Sequence, residues 1–185
     1  MPYSNSGVTT HYSPGTLPVA FVFSVPGARE KSAGAPVAGT AGENLSFALA
    51  YLHARLPAVF ASPDRYAYRI TNAYKEPFAK SLGDESSQAR DSQILESANV
   101  KRVLRELDGC RTVILCGLKA QLLADEIRKS HKMVVCAWHT SNRALSGKYK
   151  TTEVTELLNS LERRKKRAEL WAREILRKLG CRDVT

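Results

Sequence analysis

The chain has 185 residues, 43% hydrophobic and 25% charged, and a net charge of +10. That length supports one domain with a sizeable core and argues against two full ones. The composition excludes a disordered chain, and no apolar run approaches the roughly 20 residues that span a bilayer.

The basic surplus favours polyanions, nucleic acid ahead of acidic membrane surfaces, although surface charge also serves plain solubility. Residues 1–17 are rich in Ser, Thr, Gly and Pro and are expected to form a flexible arm. They show no basic segment followed by an apolar one, so a cytoplasmic protein is expected, nucleoid-associated if the source is bacterial. Residues 19–25 form a nearly all-apolar run bounded by prolines, which predicts a buried strand. Pro26-Gly27 breaks it, and Gly34, Gly39 and Gly42 space the charged loop that follows. A loop of this kind at the C-terminal end of a strand is where ligands bind in an α/β sheet, because the backbone there can approach something closely.

Leu45, Leu49, Leu52 and Leu56 recur at a helical period, predicting a helix over 43–56 stopped by Pro57. Residues 66–71 read as a second strand, and 92–107 as a helix closed by Gly109. A third strand is expected over 112–116, a helix over 119–130, and a fourth strand over 133–138. Residues 152–180 read as one long amphipathic helix or two joined pieces, with the basic block Arg163–Arg167 near the middle. Such a block is usually a solvated helix face, and in a chain this basic phosphate contact is an equal alternative. Short apolar strands alternating with helices imply an α/β fold: a three-layer α/β/α sandwich around a central four-stranded parallel sheet.

The four cysteines, Cys110, Cys116, Cys136 and Cys181, include no C-x-x-C pair, which argues against a zinc ribbon or a local iron–sulfur motif. Cys116 and Cys136 lie in apolar runs and read as reduced core thiols. No metal ligands are expected.

Three strand ends carry chemistry. The first delivers Ser24 and then Glu30, the second Asn72, the fourth His139. In a parallel sheet these ends converge on one edge, so an amide, an imidazole and a carboxylate can share a pocket. Each also has a plainer reading. Asn72 suits a cap or a turn, a histidine at a strand end is often structural, and Glu30 has Arg29 and Lys31 beside it for a surface ion pair. Taken together, a carboxamide supplies a donor and an acceptor for a base edge, and an imidazole supplies a donor to an oxygen that becomes anionic as a bond breaks.

These residues sit in three ordered motifs. Pro26-Gly27-Ala28-Arg29-Glu30 leads to Gly34-Ala35-Pro36-Val37-Ala38-Gly39-Thr40-Ala41-Gly42; Ile70-Thr71-Asn72-Ala73-Tyr74-Lys75 comes next; His139-Thr140-Ser141 is last. In this order the chain resembles the uracil-DNA glycosylase superfamily, most closely its iron–sulfur-containing family 4, over about residues 19–148. The resemblance implies a glycosylase-like domain over 18–151, with 152–185 a basic amphipathic helix packed on the same domain.

By position, the resemblance implies that Asn72 reads the edge of a flipped base and that His139 holds the leaving anion. Gly27 then approaches the DNA or the base, and the loop over 141–148 enters the duplex with Arg143 or Leu145 as the wedge. Ser141, Lys148 and Lys75 are expected on the DNA.

The chain also departs from the family. Ser24 stands where many relatives carry a water-positioning acid or amide, which leaves Glu30 as the candidate for water activation. Val37 replaces a stacking Phe and Thr140 a Pro. The cluster-binding cysteines are missing, so no cofactor is expected.

The resulting expectation is a monomeric, monofunctional DNA glycosylase acting on single- or double-stranded DNA without a membrane. Its substrate is uracil or a bulkier modified pyrimidine, released by hydrolysis of the N-glycosidic bond to leave an abasic site. A catalytically weakened module that binds modified or damaged DNA is the alternative. An enzyme acting on free nucleotides is disfavoured by the charge.

Overall fold

The computed structural model describes residues 7–78, 83, 86–130 and 133–181. Residues 1–6 of the expected arm and 182–185 of the expected C-terminal segment lie outside the described residues.

The sheet is built from β1 (Tyr12–Ser13), β2 (Leu17–Phe23), β3 (Tyr68–Asn72), β4 (Thr112–Cys116) and β5 (Met133–Ala137), in the order β1-β3-β2-β4-β5. The β3, β2, β4 and β5 pairings are parallel, whereas β1 runs antiparallel to β3, with Tyr12 opposite Thr71 and Ser13 opposite Ile70. The sheet is therefore five-stranded and mixed, which corrects the expected four-stranded parallel sheet. The extra strand is two residues long, too short to show an alternating pattern, and it turns part of the expected loose arm into cover for the β3 edge.

Alternation along β2 explains why both sheet faces are apolar. Val19, Phe21 and Phe23 enter one buried cluster, and Ala20 and Val22 enter another. On the first face lie α2 (Thr40–Arg55) and α9 (Ser160–Lys178), which pack on each other. Leu45, Leu49 and Leu52 of α2 share that core with Trp171, Ala172 and Ile175 of α9. On the second face lie α4 (Ser97–Glu106), α5 (Leu118–Gln121) and α6 (Ala124–Arg128), contributing Val103, Ala120 and Ile127. Parallel strands require this two-sided burial.

The helix predicted over 92–107 is broken into α3 (Asp91–Ile94) and α4, and that over 119–130 into α5 and α6. The C-terminal stretch divides into α8 (Thr152–Thr155) and α9, where Asn159 caps the second piece by accepting from the Leu161 N–H at 2.7 Å. Two expected loops contain helices instead: α1 (Ala28–Ala33) after β2, and α7 (Asn142–Lys148) after β5. Ser141 opens α7 by accepting from the Ala144 N–H.

β3 and β4 flank β2 on opposite sides, so the chain crosses over β2 between them. The carboxyl ends beside that crossover open the crevice in which ligands bind in this architecture.

Candidate active site

Ser24, Gly27, Glu30 and Val37 from the stretch after β2, Asn72 at the end of β3 and His139 after β5 line one cavity of about 310 Å³ at the carboxyl ends of the strands. That volume lies at the small end of the range for small-molecule sites. Phe23 stands in register with Asn72 across β2 and β3, so the strand pairing itself sets Ser24 beside the end of β3.

Asn72 is only 3% exposed, yet among the described residues its carboxamide has no protein hydrogen-bond partner and borders the cavity. Its amide atoms keep access to the cavity and are not sealed from solvent, so a donor and an acceptor are available to something that enters. Its backbone, by contrast, is tied firmly. Arg102 Nη2 donates to the Asn72 carbonyl at 2.9 Å and Arg102 Nη1 to Glu106 Oε2 at 2.5 Å. Asn99 Nδ2 donates to the Ala73 carbonyl at 2.7 Å. Burial pushes the Glu106 carboxyl up, but bonds from His11, Thr71 and Arg102 outweigh it and hold it below the usual carboxylate value. This polar cluster absorbs the carbonyls that β3 leaves unpaired at its end.

His139 is fixed from four sides. The Ser141 N–H donates to its Nδ1 at 3.0 Å. Phe23 meets the ring edge-on, with centroids 5.4 Å apart. Trp171 Nε1 donates to the Trp138 carbonyl at 2.8 Å, and Asn44 Nδ2 donates to the Thr140 carbonyl at 2.8 Å. Thr140 Oγ1 in turn donates to the Ala41 carbonyl at 2.8 Å. The fourth wall is Gly117 at the end of β4, with φ of 98°; a Cβ there would sit 3.1 Å from His139 Cβ. Gly117 is thus required both by its left-handed backbone and by the imidazole packed over it.

Burial lowers the His139 pKa to about 4, so the ring is neutral near pH 7. Because Nδ1 accepts from Ser141, the neutral ring carries its proton on Nε2. Among the described residues Nε2 meets no acceptor. A neutral N–H donor is thereby offered to the cavity.

The glycine-spaced segment serves chiefly its own packing. A Cβ on Gly42 would lie 1.7 Å from the Val37 carbonyl oxygen, so the close approach there is to the chain itself. Val37 has φ of 46°, a left-handed conformation that a β-branched residue adopts only under strain of order 1–3 kcal/mol. Glu30 Oε2 accepts from the Gly27 N–H at 3.1 Å and so caps α1, while still bordering the cavity.

The residues expected on DNA divide. Arg143 is exposed and Lys148 lies with its Nζ 5.3 Å from the Trp138 ring centroid. Ser141 is engaged in capping α7 and orienting His139. Leu145 is 2% exposed and belongs to the core, which corrects its reading as a wedge: the expected loop over 141–148 is helical and turns Leu145 inward. Lys75 lies on the surface beside Glu76 at 3.5 Å and is not among the cavity-lining residues.

Sequence reasoning missed Asn44, Gly117, Trp171 and Arg102, which hold the two key groups without touching the cavity, and Phe78, which lines it. One signal was available for Asn44: a polar residue among the buried positions of an otherwise apolar helix face. Phe78 adds a second aromatic residue, beside Phe23, to a cavity where Val37 fills the position expected to carry a ring.

The basic block is half-buried at four of its positions and exposed at Lys165. Arg163 donates to the Leu157 carbonyl, Arg164 to Glu43 and Asn44, and Arg167 to the Tyr149 carbonyl. Lys166 pairs with Glu153 and Glu169, and Lys165 sits 5.7 Å from the Phe47 ring centroid. Each of its five cations has a partner within the molecule, so the block acts as a clasp for α9.

Among the described residues no helix is long and apolar enough to cross a membrane, and no group of three or more His, Cys, Asp or Glu is placed to hold a metal ion. No protein-family model matches the chain, and neither does any curated protein sequence.

Proposed function

We propose that the protein is a monofunctional DNA glycosylase, a cytoplasmic monomer that removes uracil or a modified pyrimidine from DNA and leaves an abasic site. The observation that carries this reading is a single cavity bordered both by the carboxamide of Asn72, which no protein group among the described residues engages, and by a neutral Nε2–H donor at His139. Two apolar clusters on opposite sheet faces fit the three-layer α/β/α arrangement implied by the resemblance to the uracil-DNA glycosylase superfamily.

In this reading a flipped base enters the cavity and Asn72 bonds its edge through one donor and one acceptor. The C1′–N bond breaks with its electron pair moving to the base. Negative charge accumulates on a base oxygen, where His139 Nε2–H donates without giving up its proton. Water then adds to the cationic C1′; its hydroxyl stays on the sugar and its proton ends on the departing base. Glu30, with one oxygen already bound to Gly27, has its other oxygen for that water, and Ser24 orients it.

The test is a base-release panel on single- and double-stranded oligonucleotides carrying uracil, 5-hydroxymethyl and glycosylated pyrimidines. Release of a free base with formation of an alkali-labile abasic site supports the reading. No release from any member of the panel overturns it. The engagement of Glu30 as a helix cap favours a second reading, recognition of modified DNA without excision. Tight, salt-sensitive binding without turnover would select that reading.

A further inference from the structure

A second concavity of about 450 Å³, lined by Trp138, Ser141, Arg143, Ala144, Gly147 and Lys148, begins at the residue preceding His139. Trp138 is 41% exposed, and its carbonyl is held by Trp171, so the indole stands on a fixed backbone. Ala144 and Gly147 are small, and a Cβ added to Gly147 would meet nothing within 4 Å, so the floor is low and open. Lys148 stands near the indole, Arg143 is exposed, and among the described residues neither forms an ion pair with a carboxylate. An exposed indole with one cation over its ring and a second lining the same concavity is the combination that receives an unstacked base and its phosphates.

A second observation concerns strand state. Architectural proteins that kink a duplex insert an apolar wedge, and of the two candidates for that role the apolar one, Leu145, is buried while the exposed one, Arg143, is a cation. The exposed residues of α7, Asn142, Arg143, Gly147 and Lys148, include no apolar wedge.

We propose that the Trp138 groove binds single-stranded DNA. The indole stacks on the nucleobase next to the one held in the cavity, and Arg143 and Lys148 contact the flanking phosphates. The placement of the neighbouring base in the cavity rests on the glycosylase reading; the preference for an unpaired strand does not.

The chain has two tryptophans, and Trp171 is 1% exposed, so quenching of Trp138 emission reports on the groove. Titration with an oligothymidylate, which offers no excisable base of the panel, is compared with a blunt hairpin duplex. The proposal expects quenching and tight binding by the single strand, with much weaker binding by the duplex. Trp138→Ala should weaken single-strand binding about tenfold or more, and Trp138→Phe should recover part of that loss. Arg143→Ala and Lys148→Ala should each lower the slope of log K against log salt by about 0.7. Equal affinity for the duplex, or unchanged affinity of Trp138→Ala, overturns the proposal. If base release fails while the quenching persists, the glycosylase reading falls and the groove stands. If base release persists while Trp138→Ala binds and cleaves like the parent, the groove falls alone.

Discussion

The cavity at the strand ends and the basic run of α9 are opposites in how their polar groups are used. Arg163–Arg167 is the densest charge in the chain, yet each of its cations is engaged by a carbonyl, a carboxylate, an amide or a ring. Asn72 and His139 are two isolated polar residues, yet the carboxamide and Nε2 have no protein partner among the described residues. Charge density therefore marks a clasp here, and unused hydrogen-bonding capacity marks the site. The two regions are also connected: Arg164 donates to Asn44 Oδ1 at 3.2 Å, and Asn44 holds the Thr140 carbonyl next to His139.

The largest effect that tests this contrast is on His139. If Nε2–H stabilises the departing anion, His139→Ala should lower the rate of base release by about 10²–10³-fold, the range found for losing one preorganised donor. Single-turnover kinetics should show the loss in the chemical step and little change in DNA affinity. A variant that binds ten times more weakly with an unchanged chemical step would make His139 a binding residue and break the contrast at its centre.

The same histidine predicts a stability effect with a defined sign. Its pKa falls from 6.5 unfolded to about 4 folded, so between those values the unfolded chain binds the proton and the folded one does not. Stability is therefore present above pH 6.5 and lost as pH falls toward 4, by up to ~3 kcal/mol from this group. Urea unfolding across that window should show the slope, and His139→Gln should flatten it. An unchanged slope in the variant would mean the ring is solvated and free to charge.

Arg164→Ala tests the clasp. It leaves the buried Asn44 carbonyl oxygen short of two donated bonds, which should cost about 1–3 kcal/mol of stability. Base release should slow because the Thr140 segment loosens, while the salt slope of DNA binding stays the same. A slope lower by about 0.7 would put Arg164 on a phosphate and return the basic block to its other reading.

The particular residues explain how far the sequence could be read. β4 was legible to the residue, Thr112–Cys116, because a buried parallel strand is a continuous apolar run bounded by turn residues. Six of the cavity residues were legible through their position at or after strand ends and through the motif resemblance, since topology alone brings such ends together. β1 escaped because two residues carry no period, and α1 because its buried face is absent: none of its residues is buried. Leu145 was misread for a related reason. A single leucine in a polar stretch looks the same whether it projects from a loop or anchors a short helix, and only packing against the core decides. Apart from Glu169, three positions from Lys166, the partners of the basic block are 6 to 121 positions away along the chain, beyond any local pattern.

Lys165 is where the contrast between the two regions is weakest, and its substitution should have the smallest effect. It is the exposed member of the block, and its recorded partner is a ring, not an oxygen. An exposed cation–π contact contributes about 0.5–1 kcal/mol, so Lys165→Ala should lower stability by no more than that. If the whole block is a clasp, the salt slope of DNA binding in this variant equals that of the parent. If one cation of the run reaches a phosphate, it is this one, because it is exposed and only a weak ring contact must break for it to turn outward. A slope reduced in Lys165→Ala and unchanged in Arg164→Ala would confine the phosphate contact to one lysine and leave the other four cations to the clasp.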